Sequence, residues 1–570
     1  MFIPTTLQEF AALGWKKPDI VLVSGDAYID SPFDGCAIIG HTLIDNGFKV
    51  GIISQPDING PADITRLGEP SLFWGVSAGC VDSMVANYTP TFKKRRSDDF
   101  TPGGINNKRP DRAVMAYTNL IRRYFKHTSP IVLGGIEASL RRIAHYDYWD
   151  NSLRRPVLFD AKADILVYGM GERQALELAG ALKSEKTWKD IKGICFIEGA
   201  GGIGEFEDYI RLPDFEEVQM DKQKFTDSFI TFYDNNSQGS RGLIQKTGER
   251  FLVHNPPALP LTGDELDKVH ESPFQRDVHP FYKKMGEVRA IETIRFSIIT
   301  HRGCFGECRF CSISVHQGRT VVSRSAESIL REASSFNSHP AFRGTLHLAG
   351  APTANMYLSS CSRDGSGGGH CSSRSCLIPE ACPNLNFSHK SQISILEKIR
   401  ELKTVKGRNF RVFVTSGIRH DMILQDKKYG EAYLRNLIEH HTSGQMKLAP
   451  EHSDERVLSL MGKPSWEKLL RFKNIFDRLN NETGKKQFLT YYFIAAHPGC
   501  ADGEMRSLDR AVSKSLGINP EQVQIFTPTP STYSSLMYYT GKDPFTGQSI
   551  FVEKDTNKKE RQKAAIVPLC

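Results

Sequence analysis

The chain has 570 residues, 39% of them apolar and 10% aromatic, which is too long for one ordinary core, so two or more domains are expected. Its net charge of +8 is small for that length and spread out apart from KKRR at 93–96, the balance of a solvated surface rather than of a nucleic-acid face. The longest apolar runs, such as 20–23 and 493–496, fall far short of the roughly 20 residues of a membrane-spanning helix, and MFIPTTLQEF carries no secretory pattern; a cytoplasmic protein with no membrane partner is expected.

In chain order, strands are expected at 19–24, 49–54, 72–77, 130–133 and 163–169, with helices at 36–46, 110–126 and 172–182. Strands alternating with helices imply a parallel sheet covered on both faces, that is, a doubly wound, Rossmann-like α/β domain over residues 1–237. Residues 238–285, with HNPPALP at 254–260, read as an extended Pro-rich connector. The count restarts in residues 286–546, with strands at 293–300, 344–350, 409–416, 445–449, 489–496 and 522–527. Helical patterns follow the first five, at 325–335, 392–402, 429–440, 465–479 and 504–516. Six such units make a partial (β/α)6 TIM-type barrel, whose function belongs at the C-terminal ends of its strands. Residues 547–570 are left as a short polar tail.

Seven of the twelve cysteines fall between Cys304 and Cys382. In a chain expected in the cytosol, such clustering points to metal or redox chemistry rather than to disulfides. Cys36, Cys80, Cys195, Cys500 and Cys570 stand singly and read as packing residues. HRGCFGECRFC at 301–311 sets Cys304, Cys308 and Cys311 at C-x3-C-x2-C, directly after the first barrel strand. Three thiolates can hold three irons of a cubane cluster and leave the fourth open, unlike the four-cysteine ligation of ferredoxins. An open metal position marks a catalytic site. The competing reading is zinc, with His301 completing a tetrahedral set.

A second set, Cys361, Cys371, Cys376 and Cys382, occupies an insert at 357–389 with the spacing C-x9-C-x4-C-x5-C. It could hold an auxiliary iron–sulfur cluster or zinc, or remain metal-free thiols.

C-x3-C-x-aromatic-C on the first loop of a six-unit barrel resembles the radical SAM superfamily. The resemblance implies a [4Fe–4S] cluster on Cys304, Cys308 and Cys311 whose open iron binds S-adenosylmethionine, and a 5′-deoxyadenosyl radical formed by cleaving it. It also implies an electron donor such as a flavodoxin or ferredoxin. Phe310 matches the aromatic near adenine. LAGAP at 348–352 resembles the loop that receives the methionine amino group, with Gly350 in place of the usual glycine pair, Ala351 departing from it, and Pro352 beside them. SGIR at 416–419 places Ser416 and Arg419 where the third strand meets cofactor or substrate, and YFIAAHPG and FTPTPST bring Ile494 and Phe526 to the last two strand ends. PEHSDERVLSLMGKP at 450–464 looks like the fourth-strand segment of the methylthiotransferase branch, which leans toward modification of a large molecule such as RNA. Together with residues 19–56, 73–102 and GGIEASLRRIAHYDYWD at 134–150, these blocks resemble the YgiQ-type radical SAM proteins over nearly the whole chain, with 547–570 as the start of that family's C-terminal extension.

A doubly wound domain before such a barrel is similar to those that bind cobalamin through an Asp-x-His-x-x-Gly segment. DAYIDSPFDG at 26–35 has no histidine in that place, so histidine-ligated cobalamin is not expected; cobalamin held without that ligand stays open. Glu137, Arg141, Arg142, His145 and Asp147 read either as a site facing the barrel or as an inter-domain ion-pair network. Glu451, His452 and His497 are polar residues at strand ends, as suited to packing as to acid–base work, and the catalytic residues and substrate stay unassigned. Two other functions compete with a radical SAM enzyme. One is a non-catalytic iron–sulfur electron-transfer or redox-sensing protein; the other is a zinc-stabilised nucleic-acid module, for which no aromatic-basic platform is present.

Overall fold

A computed structural model describes residues 1–363, 371, 375–518 and 520–567. The chain divides into two compact units, Met1–Leu261 with Lys268–Arg295, and Thr262–Asp267 with Phe296–Cys570. Among the described residues, no helix is long and apolar enough to cross a membrane.

The N-terminal unit is built on a nine-stranded sheet. In spatial order its strands are Val50–Ser54, Ile20–Ser24, Phe73–Ser77, Ile131–Gly134, Ile165–Val167, Ile194–Gly199, Arg250–His254, Leu243–Thr247 and Ile210–Arg211. The first five run parallel in the order 2-1-3-4-5 of doubly wound sheets. Ile20–Ser24 and Val50–Ser54 are buried at every residue, as strands covered on both faces must be. Beyond Ile165–Val167 three antiparallel pairs follow before the edge strand Ile210–Arg211 joins in parallel, which the alternation of elements did not indicate.

Two of those antiparallel strands correct the expected connector. Leu243–Thr247 and Arg250–His254 form a hairpin across Gly248, whose φ of +59° suits the turn. A helix, Gly263–Glu271, follows them.

The second unit carries six parallel barrel positions. Ser297–Ile299 pairs with Leu348–Gly350, and Thr345–Leu346 pairs with Arg411–Val412. The bridge from Ile418 to Leu448 links the third position to Gln445–Glu451, which continues through Phe488–Ala495 to Gln522–Ile525. Helices cover the outside. In Trp466–Glu482 the Ser465 side chain caps the N-terminus, and Leu469, Phe472, Phe476 and Leu479 form a buried stripe at helical spacing.

Three expectations for this unit are corrected. Residues 291–294 are a helical turn rather than the start of the first strand. The helix expected at 429–440 is α-helical over Gly430–Asn436 and π-helical over Leu437–His441. The tail contains a helix, Thr556–Ala564, whose Lys559 and Gln562 are buried; Gln562 Oε1 accepts the Ala496 N–H at 3.0 Å.

Candidate functional site

The cysteine loop leaves the first barrel strand through Gly303, at φ +82°, where a Cβ would stand 2.0 Å from the Thr320 carbonyl oxygen. The loop then wraps on itself. The Gly306 N–H points at Cys304 Sγ (3.3 Å), and the Cys311 N–H bonds the Cys308 carbonyl (2.9 Å). All three triad cysteines are half-buried. Burial pushes the Cys304 thiol up and the Cys311 thiol up to about 12.

The segment after the fourth strand buttresses this loop. The Arg309 N–H bonds the Met461 carbonyl and Arg309 Nη1 the Ser459 carbonyl, both at 2.9 Å. Gly462, at φ +65°, ends the helix Glu455–Met461 beside Glu307 and Arg309. The third strand end contributes Arg419. Its Nη1 lies 3.6 Å from Cys308 Sγ, and its Nε donates to Asp421 Oδ1 at 2.8 Å. Burial alone would raise the Asp421 carboxyl, but the Arg419 guanidinium holds it down at about 2.

One cleft gathers Cys304, Cys308, Phe310, Cys311, Pro352, Arg419 and Glu451 from the sequence-predicted set. Among the other lining residues, Glu307, Thr353, His420 and Lys463 were not singled out in the sequence. Thr353 Oγ1 lies 3.3 Å from Cys304 Sγ. Lys463 Nζ stands 3.6 Å from Glu451 Oε1, and both side chains are buried. Burial raises the Glu451 carboxyl and Lys463 partly counters it. Lys463 lies within the quoted fourth-strand segment, so its place in the sequence was a usable signal.

Gly350, Ala351 and Ser416 are not among the residues lining the cleft. A Cβ on Gly350 would approach Ser416 Oγ to 3.1 Å, and that buried hydroxyl has no hydrogen-bond partner. A small cradle beside an unsatisfied buried oxygen fits a polar ligand group. Phe310 and Phe526 are joined through His497, with ring centroids 6.3 and 5.0 Å from it. Ile494 is half-buried on the fifth strand and does not line the cleft.

Both nitrogens of His497 are engaged, by Ser534 Oγ at 2.7 Å and the Pro498 carbonyl at 2.8 Å. His452 accepts the Asp454 N–H at 3.0 Å and faces Cys500. These contacts give both histidines packing roles, and Glu451 alone of the three candidates reaches the cleft. The zinc reading through His301 is corrected in the same way: its nitrogens face Thr300 Oγ1 at 2.9 Å and the Thr353 carbonyl at 3.0 Å. Among the described residues, no three His, Cys, Asp or Glu side chains close to single-ion spacing, the triad included. A cubane cluster places each thiolate on its own iron and does not require them to meet at one point.

The N-terminal block has internal partners. Glu137 accepts the N–H groups of Ser83 and Val114, Arg141 pairs with Asp82, and Arg112 with Asp147 at 3.2 Å. Arg142 is buried between the Tyr168 and Phe232 rings, and His145 Nδ1 faces the Ile143 carbonyl at 3.0 Å. These contacts all lie inside one unit. In the DAYIDSPFDG loop, Asp26 pairs with Arg109 (2.6 Å), Asp30 with His41 (2.7 Å), and Asp34 caps the helix Gly35–Asp45.

A parallel six-position barrel with three cysteines at the mouth of its first strand defines the radical SAM class. A family model for the radical SAM N-terminal region matches residues 2–297, and one for the radical SAM superfamily matches residues 298–511. Membership implies an enzyme working with an iron–sulfur cluster and S-adenosylmethionine. The chain is 54% identical over 564 residues to a UPF0313 protein of Fusobacterium nucleatum, covering 99% of this chain and 98% of that one. It is 47% identical over 573 residues to a UPF0313 protein of Thermotoga neapolitana, covering 100% and 98%. The chain belongs to the UPF0313, or YgiQ, family. Its fold is shared with TsrM from Kitasatospora setae, a radical S-adenosylmethionine methyltransferase solved with cobalamin and a [4Fe–4S] cluster (TM-score 0.51, 14% identity, 91% and 74% of the two chains).

Proposed function

We propose that Cys304, Cys308 and Cys311 hold a [4Fe–4S] cluster and that the cleft they line binds S-adenosylmethionine. The observation that carries the reading is the convergence of three half-buried cysteines with Arg419, Pro352 and Phe310 on one cleft at the strand C-termini. A cluster held by these cysteines would supply one electron to break the sulfonium carbon–sulfur bond of S-adenosylmethionine, giving methionine and a 5′-deoxyadenosyl radical.

The chain's own residues do the rest. Arg419, fixed by Asp421, sets a positive charge against Cys308 and lowers the cost of adding an electron at the triad. Gly350 leaves room at the second strand end, and Ser416 Oγ offers an unsatisfied hydroxyl there. Phe310, His497 and Phe526 form an apolar, neutral wall against water. Glu451, its carboxyl raised by burial and its partner Lys463 at 3.6 Å, is a group in the cleft able to accept or return a proton. Three thiols rather than four favour an open iron over the fully ligated cluster of an electron carrier.

The test is spectroscopic. Anaerobically reconstituted protein should show a reduced-cluster EPR signal that S-adenosylmethionine perturbs, and Ala at any triad position should remove that response. A signal indifferent to S-adenosylmethionine in the native chain overturns the reading.

A further inference from the structure

The described part of the insert after the second strand packs beside the triad. A short ribbon, Ser360–Cys361 with Leu385–Asn386, closes the base of the insert and pairs Cys361 with Leu385. Within it the Cys382 N–H bonds the Cys376 carbonyl at 2.8 Å, and the Leu385 N–H bonds the Cys382 carbonyl at 2.9 Å. Cys361, Cys376 and Cys382 pack on one apolar cluster built from Phe305, Met356, Leu377 and Met422 among others, and Cys304 of the triad packs on the same cluster. Cys361, Cys371 and Cys382 all stand near enough to act on the charge of the Cys376 thiolate. The Cys376 backbone also hydrogen-bonds the carboxylate of Glu307, which lies between the first two triad cysteines. Residues 364–370 and 372–374 lie outside the described residues.

We propose that Cys361, Cys371, Cys376 and Cys382 ligate a second iron–sulfur cluster, separated from the triad by one shared apolar shell. Four part-buried soft thiols, three of them on one apolar cluster, suit a metal–thiolate centre. Structural zinc sites usually pair all four ligands at C-x2–4-C, whereas here only the middle spacing, C-x4-C, falls in that range, between C-x9-C and C-x5-C. The four described sulfurs also do not close to single-ion spacing, and a cluster, which spreads thiolates over separate irons, does not ask them to. With four protein ligands no iron is left open, so this centre holds and passes electrons and does not bind S-adenosylmethionine. The site uses none of the triad cysteines, and its test stands apart from the reading above.

The test uses the full chain with Cys304, Cys308 and Cys311 all replaced by Ala, reconstituted anaerobically with iron and sulfide. We expect about two to four irons with matching sulfide to remain per chain, with a charge-transfer band and an EPR signal on reduction. Adding Cys361→Ala and Cys376→Ala should remove them. Zinc without sulfide, no metal at all, or iron that survives the added substitutions overturns the proposal. Should the triple variant fail to fold, C376A/C382A in the otherwise native chain gives the same answer. Its iron content should fall to about half, and an unchanged content overturns the proposal.

Discussion

Arg419 Nη1 lies 3.6 Å from Cys308 Sγ, and a Cβ on Gly306 would stand 3.0 Å from that same nitrogen. A side chain at position 306 would crowd the guanidinium where it meets the cysteine loop, and Asp421 keeps it aimed there.

This contact predicts a change in potential. In R419Q/D421N, where both charges are removed together, the triad's midpoint should fall on the order of tens of millivolts, since Asp421 already offsets much of the arginine's charge. EPR-monitored redox titration checks this, and an unchanged midpoint contradicts the electrostatic role.

Gly303 sets the loop's entry. Gly303→Ala forces a side chain into φ +82° and into the Thr320 carbonyl at 2.0 Å. The strain is on the order of 1–3 kcal/mol, and iron bound after reconstitution should drop by more than half while the far-ultraviolet spectrum is kept.

Gly350 separates cluster binding from ligand binding. Gly350→Val fills the space beside Ser416 Oγ, so iron content should stay native while affinity for S-adenosylmethionine falls roughly tenfold or more, a loss of about 1.4 kcal/mol. Equilibrium binding to the anaerobic protein measures it. Equal loss of iron would place the defect in the fold instead.

Acid should weaken this unit. Burial holds His301, His420 and His452 down to about 4 and His497 to about 3, so the native state keeps them neutral. An unfolded histidine titrates near about 6.5. Between these values the unfolded chain binds more protons, so stability falls as pH drops from about 6.5 toward about 4, by up to about 3 kcal/mol for each group held at 4. Melting temperatures of the cluster-free protein should drop steeply across that window. His497→Gln should flatten the slope by about one proton, and an unaltered slope contradicts the assignment.

Much of the site was legible because its residues are adjacent in sequence or directly follow apolar strands. Cys304, Cys308 and Cys311 share one loop, and the parallel core strands Ile20–Ser24 and Val50–Ser54 read as continuous apolar runs. What was hidden depends on partners distant in sequence. Thr353 meets Cys304 across 49 positions, and His301 lost its role as a ligand candidate when Thr353 claimed one of its nitrogens. The hairpin at Leu243–His254 carried its own signal, two short alternating runs about Gly248, but the prolines that follow dominated the reading. The third barrel strand was expected over eight residues and pairs over two, Arg411–Val412, because its partner Thr345–Leu346 is equally short. Periodicity reports burial, not the length of a hydrogen-bonded ladder.

The most direct measurement of the central claim is 5′-deoxyadenosine release from anaerobically reconstituted protein given dithionite and S-adenosylmethionine. The native chain should release it, and the C304A, C308A and C311A chains should not. A native chain with a confirmed cluster that releases none, or a triad variant that releases it undiminished, contradicts the account.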